Sequence, residues 1–431
     1  MEAERLSAAA LTHVGRVRDH NEDSLVVDDK LGLYAVADGM GGHAAGEVAS
    51  RLALETVQRV IREGYGRVSA YRAAPQSREA AQSVLKLLEE AALAACQAVH
   101  DEGTRDDEKR GMGTTLSAML VTDSQAFVAH VGDSRIYLLR GDKVHQLTLD
   151  HTLQNELLKR GKLSPEAISR VAQKNALTRA IGVYASVDVD TLQLDVLPGD
   201  RLLLCSDGLY AYLKKGELNS ILDAPPPEAA QRLIALANQR GGHDNITAVV
   251  LRAGDAPDSE QNRLQRLTLD TLQRAMLFKY LNYQELVRVT NVTETRRYVA
   301  EEHIFSDGDV GDELFVVLTG KVRVHHGETL LVELGPGEHF GEMALVDRQP
   351  RSASVTAVED THLLGMKRRD FLGLVKHERD IAVKLLWQFL GVLTARLRNT
   401  SRELGMAKGQ LSSDELDVVL SLSDLDIEPD E

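Results

Sequence analysis

The chemistry-bearing residues of this 431-residue chain are acidic side chains, several of them placed where apolar runs end. Glu22-Asp23, Asp38-Gly39, Gly132-Asp133-Ser134, Ser206-Asp207-Gly208 and Asp244-Asn245 are spread through its first half, several directly after runs such as LGLYAVAD and DRLLLCSDG. A carboxylate at a strand end is held rigidly while its oxygens face solvent. Such oxygens suit hard cations, Mg²⁺ or Mn²⁺, which keep part of their water shell. Taken singly, each pair is better read as a turn, because Asp-Gly and Gly-Asp are common turn dipeptides.

The elements that must position these carboxylates follow from periodicity. From Leu6 to about Arg252, short apolar runs such as AFVAHVGDSRIYLL alternate with helical patterns such as EVASRLALETVQRVI and EAAQSVLKLLEEAALAACQAV. Turns at Gly141-Asp142 and Pro198-Gly199-Asp200 suit antiparallel connections, so this region reads as a sheet-rich α+β core with flanking helices. The small, acidic, proline-containing stretch from Ala253 to Ser259, followed by a helical pattern from Asn262 to Tyr280, marks a boundary. From Val299 to Met366, short strands are punctuated by Ser306-Asp307-Gly308-Asp309, Thr319-Gly320, His326-Gly327 and Gly335-Pro336-Gly337, as in a small β-barrel or jelly roll.

One helix is predicted from Glu378 to Leu404, with Leu386, Phe389, Leu390, Leu393 and Leu397 on a face that must pack on something. The segment from Ser412 to Glu431 is acidic, has no Lys or Arg, and reads as disordered despite Leu416, Val419 and Leu420. The expected organisation is a first domain over 6–253, a linker and helix over 254–276, a second domain over 277–400 and an acidic tail over 401–431.

Composition narrows the partners. The net charge of −15 and pI near 5.5 disfavour nucleic acid and anionic membrane surfaces, which need basic patches. No stretch approaches the ~18 apolar residues of a membrane span, and the start shows no basic flank before an apolar core, so a cytoplasmic protein is expected. No helix-turn-helix pattern follows the last predicted helix. Cys96 and Cys205 lie far apart and read as reduced, buried thiols.

Order and context say more than any single acidic pair. Arg18-Asp-His-Asn-Glu22-Asp23 is followed by Ala37-Asp38-Gly39-Met40-Gly41-Gly42-His43, Gly113-Thr114-Thr115, Val131-Gly132-Asp133-Ser134-Arg135, Asn175-Ala-Leu-Thr-Arg-Ala-Ile-Gly182, Asp207-Gly208 and Gly242-His243-Asp244-Asn245. This set, from about Leu6 to Leu251, closely resembles the bacterial branch of the metal-dependent protein phosphatase family, type 2C. The resemblance implies a β-sandwich of two antiparallel sheets flanked by helices, with a two-metal centre at one end and phosphoserine or phosphothreonine proteins as substrates.

Residue by residue, it implies that Asp38 bridges both ions, that Asp207 and Asp244 complete one, and that Glu22 with the carbonyl of Gly39 holds the other. Asp23 would act through bound waters, and Asp133 matches the acidic residue that helps hold a third ion. Two cations roughly 3.5–4 Å apart activate a bridging water and clamp both reacting oxygens. Hydroxide is then the nucleophile, and no covalent phospho-enzyme is expected. Arg18 matches the family's phosphate-binding arginine, whose fork orients the phosphoryl group for in-line attack.

Met40 stands where many eukaryotic relatives carry a histidine that protonates the leaving alcohol. The general acid is therefore left open between His43 and a metal-bound water. His20, His130 and His151 match no ligand spacing and read as structural. Gly111-Met-Gly-Thr-Thr lacks the P-loop lysine and reads as close packing beside the cleft.

Farther on, Gly337-Glu338-His339-Phe340-Gly341-Glu342-Met343-Ala344-Leu345, continuing through Pro350-Arg351-Ser352-Ala353-Ser354-Val355, resembles the phosphate-binding cassette of cyclic nucleotide-binding domains. The match spans about Leu277 to Asn399 and implies a β jelly roll with flanking helices. A cyclic nucleotide offers one negative charge and a free 2′-hydroxyl. Arg351 would pair with the phosphate, a short helix starting near Gly341 would add N–H donors, and Glu342 would accept from the hydroxyl. Gly341 and Ala344 admit the ligand to the backbone, Met343 lies between these contacts, and Ser352 favours cyclic AMP over cyclic GMP. Against this stands a jelly-roll corner that binds nothing, with Arg351 in a surface ion pair. Trp387 reads as core packing, with a lid over the base as the alternative.

Joined, the two resemblances imply a metal-dependent serine/threonine protein phosphatase regulated by cyclic nucleotide through movement of the C-terminal helix. An active phosphatase with a nucleotide-insensitive targeting module and a non-catalytic phosphoprotein scaffold are the alternatives.

Overall fold

A computed structural model of the chain describes residues 6–41, 45–159, 175–254 and 259–408. It divides into two compact units, Met1–Ser259 and Glu260–Glu431. The expected acidic tail beyond residue 408 and the candidate His43 lie outside the described residues.

The first unit is built on two antiparallel sheets. Strands β1 (Leu6–His13), β2 (Asp23–Asp28), β3 (Leu33–Met40), β4 (Gly113–Thr114), β5 (Leu116–Val121), β6 (Gln125–Val131), β7 (Arg135–Arg140), β8 (Lys143–Gln146), β9 (Asp190–Asp195), β10 (Arg201–Cys205) and β11 (Ile246–Ala253) make them. One sheet runs β1-β11-β10-β7-β8 and the other β2-β3-β5-β6-β9, with β4 paired to β3. The central strands read as unbroken apolar runs because both faces are covered: β5 is buried at every position.

Helices α1 (Ala45–Glu63) and α3 (Arg78–Arg105), joined by α2 (Tyr65–Ala73), pack together, and α1 lies on β3. On α1 the buried positions Ala49, Ala53, Val57 and Ile61 recur every four residues. On α3, Val84, Leu88, Ala91, Ala95 and Val99 face the same core as Leu116, Leu120 and Phe127. Ser77 caps α3, its hydroxyl accepting from the Ala80 N–H at 3.2 Å. Among the described residues, three short helices follow, α4 (Leu153–Lys159), α5 (Asp207–Tyr210) and α6 (Glu217–Leu222), before α7 (Pro226–Gln239), which packs on β1 and β11.

In the second unit, α8 (Glu260–Arg274) and α9 (Tyr283–Thr290) precede two four-stranded antiparallel sheets. Their strands are β12 (Glu294–Tyr298), β13 (His303–Phe305), β14 (Glu313–Thr319), β15 (Val322–His326), β16 (Thr329–Leu334), β17 (His339–Phe340), β18 (Ser354–Ala357) and β19 (Thr361–Lys367). The orders β12-β19-β14-β17 and β13-β18-β15-β16 are open, so the jelly-roll reading stands and a closed barrel does not.

Strand β14 shows the two-residue period directly. Phe315 and Val317 enter the core between the sheets, while Leu314, Val316 and Leu318 face the helices. Those helices include α10 (Met343–Val346), α11 (Arg368–His377) and α12 (Arg379–Lys408), the last continuing past Leu404. A capping box holds the start of α9: Asn282 accepts from Glu285 N at 2.9 Å, and Glu285 accepts from Asn282 N at 2.8 Å. Lys384 of α12 then pairs with Glu285 at 2.9 Å.

The apolar stripe expected on α12 is only partly buried. Ile381, Leu385 and Phe389 enter the core, but Leu386, Leu390, Leu393 and Leu397 are exposed. Among the described residues no helix is long and apolar enough to cross a membrane.

Replacing Leu88 by alanine removes a side chain that is 1% exposed, so the first unit should lose about 2–5 kcal/mol. Urea unfolding is expected to show a lower midpoint with an unchanged slope.

Candidate active site

Strand register gathers the acidic residues. Across β2 and β3, Asp23 lies opposite Asp38. The end of β3 pairs with Thr114 of β4, and the start of β5 lies opposite Val131, the last residue of β6. In the other sheet Cys205, at the end of β10, faces Arg135 and Ala248, and His13 faces Ile246. Hence the loop carrying Arg18 and Glu22, the end of β3, the turn with Asp133, the start of α5 at Asp207 and the residue Asp244 before β11 share one end of the sandwich.

Hydrogen bonds fix their backbones. Asp38 donates its N–H to the Thr115 hydroxyl at 2.9 Å, and its carbonyl accepts from the Thr114 hydroxyl and the Thr115 N–H, each at 2.9 Å. Buried Asn245 joins two segments: its Oδ1 accepts from Glu22 N at 2.8 Å, and its Nδ2 donates to Val14 and His20 carbonyls at 2.9 and 2.8 Å. The Gly39 N–H donates to the Glu22 carbonyl at 3.1 Å. Asp23 is buried, with Oδ2 accepting from Ser206 Oγ at 2.7 Å and Thr247 Oγ1 at 2.6 Å, while Oδ1 is buried with no hydrogen-bond partner. Asn245, Ser206, Thr247 and Thr115 were not marked as site residues by sequence reasoning. The signals were present in Asp244-Asn245, Ser206-Asp207 and Gly113-Thr114-Thr115, read only for their carboxylates and glycines.

The electrostatics are those of like charges forced together. Burial, reinforced by Asp23, Asp207, Asp133 and Asp244, drives the Asp38 carboxyl well above the ordinary range. Burial and the Asp207 charge push Asp133 up to about 7. Asp23 and Asp207 are raised for the same reasons, and Asp207 shares a hydrogen bond with Asp38. Burial also raises Glu22, against the pull of Arg18. Arg18 stands at the mouth, about half exposed, and donates to Asp244 Oδ2 at 2.9 Å.

Of the histidines, His20 is exposed at the rim, while His130 and His151 are buried within the fold. Gly113 packs against Met40, since a Cβ there would lie 2.8 Å from Met40 Cε, whereas a Cβ at Gly111 would meet nothing within 4 Å, so the close packing expected of this run holds at Gly113 alone.

The second unit holds a cavity of about 690 Å³ whose lining includes Gly341, Glu342, Met343, Ala344, Arg351 and Ser352. Gly341 sits at φ +76°, and a Cβ there would come 2.7 Å from Arg351 Nη1 and 2.9 Å from the Glu313 carbonyl, so only glycine fits. Arg351 donates to the Gly341 and Glu313 carbonyls at 3.3 and 2.9 Å and stacks over Phe305, 4.1 Å from the ring centre. Its Nε is buried without a hydrogen-bond partner. Burial lowers the Arg351 pKa while Glu313, Asp312 and Glu342 oppose that shift. Trp387, expected in the core or over the base, is 45% exposed and does not line the cavity; Asn399 and Thr400 of α12 do.

Carboxyls raised by burial bind more protons in the folded than in the unfolded chain. Their stabilising contribution is complete below about pH 4 and is lost as pH rises through the folded-state value, about 7 for Asp133. In a chelator the first unit should therefore lose on the order of a few kcal/mol between pH 5 and 8. Calorimetry is expected to show the decline, and added Mn²⁺ to remove most of it.

The sequence matches the protein phosphatase 2C family over residues 13–249 and the cyclic nucleotide-binding domain over residues 295–378. The serine/threonine phosphatase stp of Listeria innocua is 40% identical over 245 residues, covering 56% of this chain and 93% of that protein. Protein phosphatase PhpP of Streptococcus pneumoniae is 37% identical over 252 residues, covering 57% of this chain and 97% of its own. Among solved structures, the Mycobacterium tuberculosis serine/threonine phosphatase PstP/Ppp superposes with a TM-score of 0.50 at 35% identity, over 58% of this chain and 99% of that one. With its family match, its sandwich and its gathered carboxylates in agreement, this chain belongs to the protein phosphatase 2C family and carries a cyclic nucleotide-binding domain after the phosphatase domain.

Proposed function

We propose that the chain hydrolyses phosphoserine and phosphothreonine monoesters of proteins with divalent metal ions, and that a cyclic nucleotide bound by its second unit regulates this activity. The observation that carries the reading is one end of a sandwich that collects Glu22, Asp23, Asp38, Asp133, Asp207 and Asp244 from five separate segments, with Arg18 beside them. Residues 6–253 are assigned to the phosphatase and 277–400 to nucleotide binding.

The donor set fits divalent cations. It is all oxygen, it holds more negative charge than its neighbours compensate, and the unpartnered Asp23 Oδ1 suits a contact through water. Among the described residues no three such groups converge tightly enough to form a metal polyhedron, so the fit rests on donor chemistry and charge. Asp38, Asp207 and Asp244 are assigned to one ion, Asp38, Glu22 and the Gly39 carbonyl to another, and Asp133 to a third. Bound there, Mn²⁺ or Mg²⁺ supplies an activated water and neutralises phosphoryl oxygens.

The protein's own groups do the rest. Arg18 binds and orients the phosphoryl group from the exposed side. The Thr115 and Asn245 bonds hold the Asp38 and Glu22 backbones, so the carboxylates need not reorganise during reaction. The Ser206 and Thr247 hydroxyls hold the Asp23 carboxylate.

In the second unit, Arg351 is assigned to the cyclic phosphate, Glu342 to the ribose hydroxyl and Ser352 to the base side, with cyclic AMP favoured. Asn399 and Thr400 extend the lining onto α12, which gives the ligand a direct contact with that helix. A ligand can shift regulation only by its differential affinity for two states, typically about 1–3 kcal/mol.

The test is phosphate release from a phosphothreonine peptide with Mn²⁺, with and without cyclic AMP or cyclic GMP. Asp207→Ala should abolish turnover, and Arg18→Ala should lower kcat/KM about 10–150-fold, the worth of a charge-assisted contact. Arg351→Ala should remove nucleotide binding and any rate change it causes. Turnover insensitive to nucleotide in the wild-type chain would leave a phosphatase with a targeting module, and absence of turnover with every metal would sink the enzymatic reading.

A further inference from the structure

Behind the acidic site lies a buried polar assembly that the phosphatase reading does not use. His151, in the loop before α4, is 3% exposed and grips Gly132 through both of the peptide groups that flank its Cα. Its backbone N–H donates to the Gly132 carbonyl at 2.8 Å, and its Nδ1 accepts from the Gly132 N–H at 3.0 Å. Because Nδ1 accepts, Nε2 carries the ring proton and donates to Asp190 Oδ2 at 3.1 Å. Asp190 also accepts from Arg179 Nη1 at 2.8 Å. Burial would raise the Asp190 carboxyl, but the His151 bond and the Arg179 charge hold it well below the usual range, so it stays an anionic acceptor. His130 stacks beside His151 at 4.9 Å and is kept neutral, its pKa pushed by burial down to about 3, so it brings no charge against the ring.

Gly132 itself has no freedom to shift. It sits at φ +106°, and a Cβ there would lie 2.6 Å from Thr115 Cγ2. On the other side of Asp133, the Ser134 hydroxyl bonds Thr115 Oγ1 at 2.7 Å, the same oxygen that accepts from Asp38 N. Asp133 is thus the unanchored middle of a three-residue turn whose two ends are clamped, one by His151 and the other by Thr115.

We propose that His151 is a positioning residue: it clamps Gly132 so that the Asp133 carboxylate faces Asp207, and thereby sets the affinity of the ion that Asp133 helps hold. This rests on the assignment of Asp133 to a metal ion. Asp190 and Arg179 act behind it, fixing the ring's tautomer and direction. Partners at this remove from a metal, when lost, change its affinity about 10–100-fold.

The experiment is Mn²⁺ binding to the full chain, followed by isothermal titration and by the electron paramagnetic resonance signal of free Mn²⁺, alongside thermal melts. Asp133→Ala should lose one Mn²⁺ equivalent. His151→Leu, which removes the acceptor, should weaken that same equivalent about 10-fold or more and leave the others as they were. His151→Asn, whose Oδ1 can stand in for Nδ1, should recover most of the affinity although it also loses the bond to Asp190. A purely structural role would lower the melting temperature of both histidine variants without this split.

The inference fails if folded His151→Leu binds every Mn²⁺ as the wild type does, or if His151→Asn is as impaired as His151→Leu. If Asp133→Ala loses no equivalent, the metal assignment of Asp133 falls and the inference with it, so the two failures are told apart. Independently of metal, ¹⁵N-histidine spectra must show His151 as the Nε2–H tautomer, and the opposite tautomer would overturn the clamp.

Discussion

The structure of the first unit depends on one unfavourable interaction: several carboxylates crowded at one end of a β-sandwich, close enough to raise one another's pKa. Burying one uncompensated charge is costly, and like charges add to the cost. The fold meets it by fixing the backbone around each group. Asp23 and Asp38 face each other across a strand pair, Thr114 and Thr115 hold the Asp38 peptide, and Asn245 binds the Glu22 loop to the start of β11. Rigid strands with apolar faces on both sides are what allow so much negative charge to be held without collapse or splaying. A surface loop could carry the same carboxylates, but they would move apart.

This explains what the sequence made legible and what it hid. Several of the acidic pairs close an apolar run, as Asp38 and Asp207 do, while Glu22-Asp23 and Asp244 stand just before one, so the carboxylates of the site are visible one by one at strand ends. Their convergence is not: Glu22 meets Asn245 and Asp23 meets Thr247 across more than half of the chain's length, and only register brings them together. The hydroxyl and amide groups that hold the carboxylates were equally hidden, since a serine or threonine beside an aspartate reads as turn chemistry until its partner is known. The same limit applies to His151. No ligand spacing singles it out, and its meaning comes from a peptide nineteen residues earlier.

In the second unit the periodic signal was clearer than its consequences. The alternation of β14 feeds two cores at once, and short glycine-punctuated strands give the two facing sheets. Whether those strands close into a barrel is decided by edge pairing, which local pattern does not encode. The stripe on α12 was read as one buried face. The structure turns a neighbouring face inward instead, burying Ile381, Leu385 and Phe389, while Leu386 and Leu390, one residue on and so about 100° farther around the helix, are exposed.

The two sites solve opposite electrostatic problems, and their geometry differs accordingly. The phosphatase end holds excess negative charge with few compensating cations, so a group that binds it must bring positive charge, which suits divalent cations. The cavity of the second unit holds one half-buried guanidinium, resting on Phe305 and donating to two carbonyls rather than to a carboxylate. Carbonyl partners leave its formal charge uncancelled, whereas the neighbouring Glu313 carboxylate is engaged by Arg296 at 2.6 and 2.8 Å. That arrangement keeps the Arg351 guanidinium fixed in direction, as the role proposed for it requires. Among the described residues that line this cavity Arg351 is the one cation, and it stands there with the carboxylates of Glu338, Glu342 and Asp347.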